Sequence, residues 1–308
     1  MNPPPLASLT TFRLGGPPLD FAEADGPQAA ANAIRYWNSR SIPWRALGGG
    51  SNILADDAPL PFAVLRAVPP PGPFSPEPLA PGLWRVPAGV PLDTVADWAV
   101  SVLGDPRWTF ASGIPGTLGG AVVGNAGAFG DSLASVVEAA EILSSDASPA
   151  LLPASALAFS YRASALQTRP CFLHAVRLRA SAPASDAEAG AARARRAEIL
   201  ALRRAKHPDP AVLPTAGSFF KNLPPAPGSD RRTPAGALLD AVGAKALSVG
   251  RARVFPLHAN ILVADPGASA DDVASLASIL ACRVRERFAV SLVPEVRYWG
   301  SLKVPLSS

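Results

Sequence analysis

The stretch ASGIPGTLGGAVVGNAGAFG, residues 111–130, carries seven glycines among twenty residues and no charge. It lies in an uncharged run from Trp108 to Gly130, long enough in principle to cross a bilayer. Its Gly116-x-x-x-Gly120 and Gly120-x-x-x-Gly124 spacings are those of packed membrane helices. Composition excludes that reading: Pro115 interrupts the run, and Gly, Ser, Thr and Asn fill about half of it. A flexible linker is excluded too, because LGGAVV is apolar and compact where linkers are polar Gly/Ser tracts. What remains is a folded backbone surface shaped for packing or for a ligand.

The rest of the chain fits a globular setting. Its 308 residues are 48% hydrophobic and 17% charged, values of a folded protein with two or three domains and an ample core. The 35 prolines predict numerous connections and short helices. Cys171 and Cys282 form no C-x-x-C pair and offer at most one bridge, which fits a reducing cytosol. The opening MNPPPLASLTTF lacks the basic and apolar regions of a signal peptide, so a cytoplasmic protein with no membrane role is expected. The net charge is +4 and the pI about 9.4, but the basic residues are dispersed. Their densest cluster, Arg193 to Lys206, includes Glu198 and reads as a solvated helix face rather than a nucleic-acid site. Three histidines (His174, His207, His258), without H-E-x-x-H or a Cys/His cluster, predict no protein-built metal site.

Patterning gives the organisation. Asp25-Gly26-Pro27 opens a helix by capping and proline logic. WRAL (44–47), FAVLRAV and LWRVPAGV read as strands, and PLDTVADWAVSVL places Leu92, Val95, Ala96, Ala99 and Leu103 on one helical stripe. SVVEAAEIL and CFLHAVRLRA are further strands. The α+β domain so built is expected over 1–182, with two subdomains split near 68. A connecting helix follows over 183–206, then a smaller α+β domain over 207–300 and a tail over 301–308. In the smaller domain, helices start at Thr233-Pro234 and Ser269, HANILVA is a strand and AVSLVPEVRYWG a final strand.

Three sets of residues could carry chemistry. LGGGSNIL (47–54) follows a strand; Gly48, Gly49 and Gly50 let backbone N–H groups converge on phosphate, and Ser51 and Asn52 add side-chain donors. It is not a Rossmann fingerprint, since Ile53 takes the third glycine's place, and by itself it reads equally as a tight turn. In the opening stretch, Gly113, Gly116, Gly119 and Gly120 let backbone lie flat on a large planar or pyrophosphate ligand, with Asn125 able to add an amide. Close packing of two backbones is the alternative. The third set is scattered: Tyr161-Arg162, Lys206, Gly217-Ser218-Phe219-Phe220-Lys221-Asn222, His258-Ala259-Asn260 and Glu295-Val296-Arg297. Spacing does not show whether these meet.

Taken in order, TTFRLGGP (10–17), LGGGSNIL, ASGIPGTLGGAVVGNAGAFG, FSYRAS (159–164), AGSFFKN (216–222), HANILV (258–263) and PEVRYWG (294–300) resemble the UDP-N-acetylenolpyruvoylglucosamine reductases of bacterial cell-wall synthesis. The resemblance implies an FAD-binding domain of the PCMH (vanillyl-alcohol-oxidase-like) type followed by a substrate-binding domain. It also implies a monomer, NADPH as co-substrate and a nucleotide-sugar substrate. The family's proton donor falls on Ser218 and its carboxylate-polarising pair on Arg162 and Glu295. FAD contacts are implied for Gly48 to Asn52, for Ser112, Gly113, Ile114, Pro115, Gly116, Gly119 and Gly120, and for Asn125. Substrate contacts are implied for Tyr161, Lys206, Asn222 and Arg297. The chain departs from the family at Ala163, Leu223 and Pro256-Leu257, and no tyrosine lies between Tyr161 and Tyr298, so the tyrosine flap of one family subtype is expected to be missing.

Overall fold

A computed structural model of the chain describes residues 2–183, 185–225, 228 and 230–301; most of the expected tail, 302–308, lies outside them. The chain divides into two compact units, one of Asp20–Gly49 and Phe62–Arg203, the other of Met1–Leu19, Gly50–Pro61 and Arg204–Ser308.

Among the described residues the larger unit holds two main sheets and a two-residue ladder, Gly127–Ala128 with Asp131–Ser132. Phe21–Ala24, Ala63–Ala67 and Trp44–Leu47 form a parallel sheet with Ala63–Ala67 central. The helix Pro27–Asn38 buries Ala30, Ala31, Ile34 and Trp37 in the core shared with this sheet. Pro27 opens that helix as expected, but its cap is Gly26 and no side chain caps it. The second sheet is antiparallel, in the order Pro149–Pro153, Val137–Ser144, Cys171–Arg179, Leu83–Pro87, Glu77–Ala80. Its apolar residues close on the helix Leu92–Asp97 and its π-helical extension Trp98–Val102, around fully buried Trp108. A short helix, Leu118–Gly124, rises inside the glycine-rich stretch where no helix was expected; Thr117 caps it by accepting the Gly120 N–H at 3.3 Å.

The smaller unit is an antiparallel sheet in the order Thr215–Ser218, Ile261–Ala264, Ala252–Val254, Ser248–Val249. The helices Ala235–Ala241 and Ala270–Phe288 share its core. Ser269 and Asp272 close a reciprocal capping box at the start of the long helix. The closing segment is less regular than expected: only Arg297–Trp299 is strand, paired in parallel with Ile53–Ala55.

These pairings move the expected boundaries. Residues 1–19 and 50–61 group with the C-terminal unit, because Thr11 donates to Gly50 O (3.2 Å) and to Thr215 O (2.6 Å) and Ile53–Ala55 needs its partner strand. Nor is 183–206 a free connector. The helix Asp186–Lys206 buries Ala189, Ala192 and Ile199, and up to Arg203 it belongs to the larger unit.

Candidate functional site

In the larger unit the two glycine loops lie against each other. A Cβ on Gly49 would stand 2.8 Å from Gly116 Cα, and one on Gly48 would stand 2.4 Å from Thr117 Oγ1. Any side chain there would force the loops apart. Backbone packing therefore accounts for these two glycines, and the result is one continuous surface. Gly119 serves the fold in a similar way, since its Cβ would stand 2.9 Å from Ala88 Cβ.

Asp93 pins the turn that follows Ser112. Its Oδ1 accepts the Gly113 N–H at 2.7 Å and the Arg196 Nη1–H at 2.7 Å, while Arg196 Nε donates to Asp97 at 3.0 Å. Burial raises the Asp93 carboxyl, but the hydrogen bonds from Arg196 and Gly113 outweigh it and hold it below its usual value. Beside this turn, the Ser112 hydroxyl is buried with no partner among the described residues. An unpartnered buried hydroxyl next to an uncharged loop fits a polar cofactor laid on backbone. Asn125, expected to face a ligand, also braces the loop: its Nδ2 donates to Ser160 O (2.8 Å) and its Oδ1 accepts from Ala134 N (3.0 Å).

Tyr161 and Arg162 form the tip of a tight turn whose flanks, Ser160 and Ala163, exchange backbone hydrogen bonds of 3.0 and 3.1 Å. Arg162 has φ +55°, left-handed backbone, and Gln167 Nε2 donates to its carbonyl at 3.1 Å. Its guanidinium carbon lies 5.3 Å from the Tyr161 ring centre.

Two arginines correct the expectation of a solvated face over 193–206. Arg196 is 7% exposed. Arg203 is half-buried, and burial lowers its pKa, opposed by Asp93 and reinforced by Arg162.

In the smaller unit, Ser218 ends the strand Thr215–Ser218, followed by the buried pair Phe219 and Phe220. Asn260 fixes this turn: its Oδ1 accepts the Phe220 N–H at 2.9 Å and its Nδ2 donates to Phe220 O at 2.8 Å. Glu295 N donates to Phe219 O at 2.8 Å, Asn52 Nδ2 donates to Glu295 O at 3.0 Å, and Arg297 N donates to Asn52 O at 3.0 Å. The backbone thus gathers Ser218, Glu295, Asn52 and Arg297, which the sequence left scattered.

Ser218 also lines a cavity of about 370 Å³ with Asn222, Asp240, Lys245, His258 and Asn260. Asn222 Oδ1 accepts the Ala235 N–H at 3.1 Å. Burial lowers the His258 pKa against a backbone hydrogen bond, and the charges of Lys245 and Lys206 push the same way. His258 is therefore held neutral among cations, in a setting that suits a phosphate-bearing ligand. Asp240 and Lys245 were missed as site residues, and no motif in the sequence marked them; Asn260 was among the scattered candidates, within His258-Ala259-Asn260.

Among the described residues, no helix is long and apolar enough to cross a membrane, and no group of three or more His, Cys, Asp or Glu is placed to hold a metal.

Residues 209–299 match the family model described as UDP-N-acetylenolpyruvoylglucosamine reductase, C-terminal domain. A UDP-N-acetylenolpyruvoylglucosamine reductase of Synechococcus sp. (strain JA-3-3Ab) is 35% identical, over 99% of this chain and 92% of its own. One from Anaeromyxobacter sp. (strain K) is 37% identical, over 96% of this chain and 84% of its own. The crystal structure of the MurB enzyme of Thermus caldophilus superposes with a TM-score of 0.75 at 30% identity, covering 96% of this chain and 98% of that one.

Proposed function

Because the chain belongs to the UDP-N-acetylenolpyruvoylglucosamine reductase (MurB) family, we propose that it reduces UDP-N-acetylglucosamine enolpyruvate to UDP-N-acetylmuramate for peptidoglycan precursor synthesis, with FAD as bound cofactor and NADPH as co-substrate. The observation that carries this reading is similarity running from end to end of both chains, with Ser218 and Glu295 held on one backbone network.

On this reading the larger unit is the FAD-binding domain. Gly48, Gly49 and the Ser112–Gly116 turn present backbone to the cofactor, and the Ser112 hydroxyl is a donor or acceptor awaiting a partner. FAD, when bound, supplies the hydride chemistry. Everything else falls to the chain's own residues. Hydride arriving at C3 of the enolpyruvyl group leaves negative charge on C2, delocalised into the neighbouring carboxylate. Arg162, a fixed cationic fork, faces that carboxylate and stabilises the charge. Glu295 shares a proton with it, since an ionised Glu295 would repel it. Ser218 gives its proton to C2; a hydroxyl is a weak acid, so its task rests on position rather than acidity. Lys206, Arg297, Asn222 and Tyr161 hold the nucleotide-sugar, with Lys206 and His258 at its diphosphate. The reading also carries a monomer acting in the cytoplasm, which light scattering and fractionation test.

The purified protein should be yellow or become so with FAD, and should oxidise NADPH when the enolpyruvyl substrate is present. A protein that stays colourless in excess FAD overturns the reading. Ser218→Ala should leave flavin reduction by NADPH intact while slowing flavin reoxidation by substrate about a hundredfold or more, the scale of a lost proton donor. Equal losses in both half-reactions would remove Ser218 from that role.

A further inference from the structure

The polar side chains that line the cavity beside Ser218 are mostly donors. His258 Nδ1 accepts the Asn260 N–H at 3.2 Å, so in the neutral ring Nε2 carries the proton and is a donor to anything bound there. Lys245 adds an ammonium. Asn260 spends both ends of its amide on Phe220, and Asn222 Oδ1 is taken by the Ala235 N–H. Among the described lining residues one carboxylate departs from this pattern, that of Asp240. It stands on the helix Ala235–Ala241, and its Oδ1 meets Lys245 Nζ at 3.0 Å while 57% of the side chain stays exposed.

The fold has little use for that charge, because an ion pair so exposed adds little to stability. For a phosphate-bearing ligand it is a liability, since a carboxylate repels the diphosphate that Lys245 and His258 attract. Asp240 therefore suits a part of the ligand that donates hydrogen bonds and bears no charge. In a uridine diphosphate sugar, the ribose is bonded directly to the diphosphate, as Asp240 is paired with Lys245. The amino sugar, on the other side of the diphosphate, carries the enolpyruvyl group to Ser218. Within the nucleoside, the N–H of the base is flanked by two carbonyl oxygens that a carboxylate repels. The vicinal ribose hydroxyls are neighbouring donors without that conflict.

We propose that Asp240 sets a preference for ribonucleotides, accepting a ribose hydroxyl on the carboxylate oxygen that Lys245 leaves open. This rests on the functional reading given above and adds to it a residue that tells ribose from deoxyribose. A site built to accept a hydroxyl rejects the analogue that lacks it.

Calorimetric titration of the FAD-loaded protein with UDP, 2′-deoxy-UDP and 3′-deoxy-UDP tests the proposal; UDP lacks the amino sugar and so isolates the nucleoside. The wild type should bind at least one deoxy compound about tenfold more weakly than UDP, the scale of a lost hydrogen bond to a charged group. Asp240→Ala should bind all three alike. Release of Lys245 in that variant changes all three affinities together and cancels in their ratio. Asp240→Asn, which keeps an acceptor oxygen, should retain part of the preference and guards against a misfolded alanine variant. No preference in the wild type, or one that survives undiminished in Asp240→Ala, overturns this proposal alone. A wild-type protein that takes up no FAD and binds none of the three compounds overturns the functional reading and the proposal with it.

Discussion

Left-handed backbone at Arg162 costs a residue with a Cβ on the order of 1 kcal/mol. The turn meets that cost with the Ser160–Ala163 bonds and with braces from Asn125 and Gln167. Such bracing places a guanidinium, and placement is what stabilising a developing carboxylate charge requires. Arg162→Lys should therefore lower kcat by about two orders of magnitude with FAD content unchanged, and stopped-flow turnover near the wild-type rate would remove it from the mechanism. Asn260→Ala strands both backbone groups of buried Phe220. It should cost about 2–4 kcal/mol in denaturant unfolding and slow flavin reoxidation by substrate more than flavin reduction by NADPH, because the turn it frees carries Ser218. At this scale the sequence was partly legible: Ser218, Arg162 and Glu295 stood out inside motifs. Arg203 and Asp93 did not, because an arginine in an Ala/Arg-rich helix looks solvated until its packing partners are known.

Helix Asp186–Lys206 is tied to the helix Leu92–Asp97 by one arginine between two aspartates, and the same Asp93 oxygen holds Gly113. Losing Asp93 should loosen the Gly113 turn rather than the fold at large. Asp93→Ala is expected to weaken FAD binding about tenfold, as read from flavin fluorescence on titrating apoprotein. Asp93→Asn, which keeps an oxygen for the Gly113 N–H, should recover most of it; equal loss in both would place the effect in the ion pair alone. The elements themselves were largely legible, because Pro27, Ser269 and apolar periodicity are local signals. The helix Leu118–Gly124 was not, since three of its seven residues are glycines, which disfavour helix. It forms because Thr117 caps it and Leu118, Ala121 and Val122 are buried.

For the molecule as a whole, acid should act in two stages. Burial lowers the pKa values of His258 and His174 from 6.5. A histidine with a depressed folded value binds its proton better when unfolded, so its contribution is present above pH 6.5 and is lost as pH falls towards the folded value. Asp93, Glu141 and Asp272 are held below ordinary carboxylate values, and their contribution is lost only below about pH 4. Melting temperatures should thus decline first below pH 6.5, and His258→Gln should flatten that first decline; an unchanged slope would refute it. What the sequence did not reveal at this scale is the interleaving of the two units. A pairing between strands so far apart in the chain leaves no mark on either one. It does leave a mark on synthesis. Ile53–Ala55 is fully buried in the finished molecule, yet the strand Arg297–Trp299 that completes its edge emerges last. At ordinary translation speeds it arrives on the order of ten to fifty seconds later. The larger unit has all its residues by Arg203 and can settle on the ribosome, while three apolar residues of the other unit wait with an open edge, dependent on shielding until the closing strand arrives.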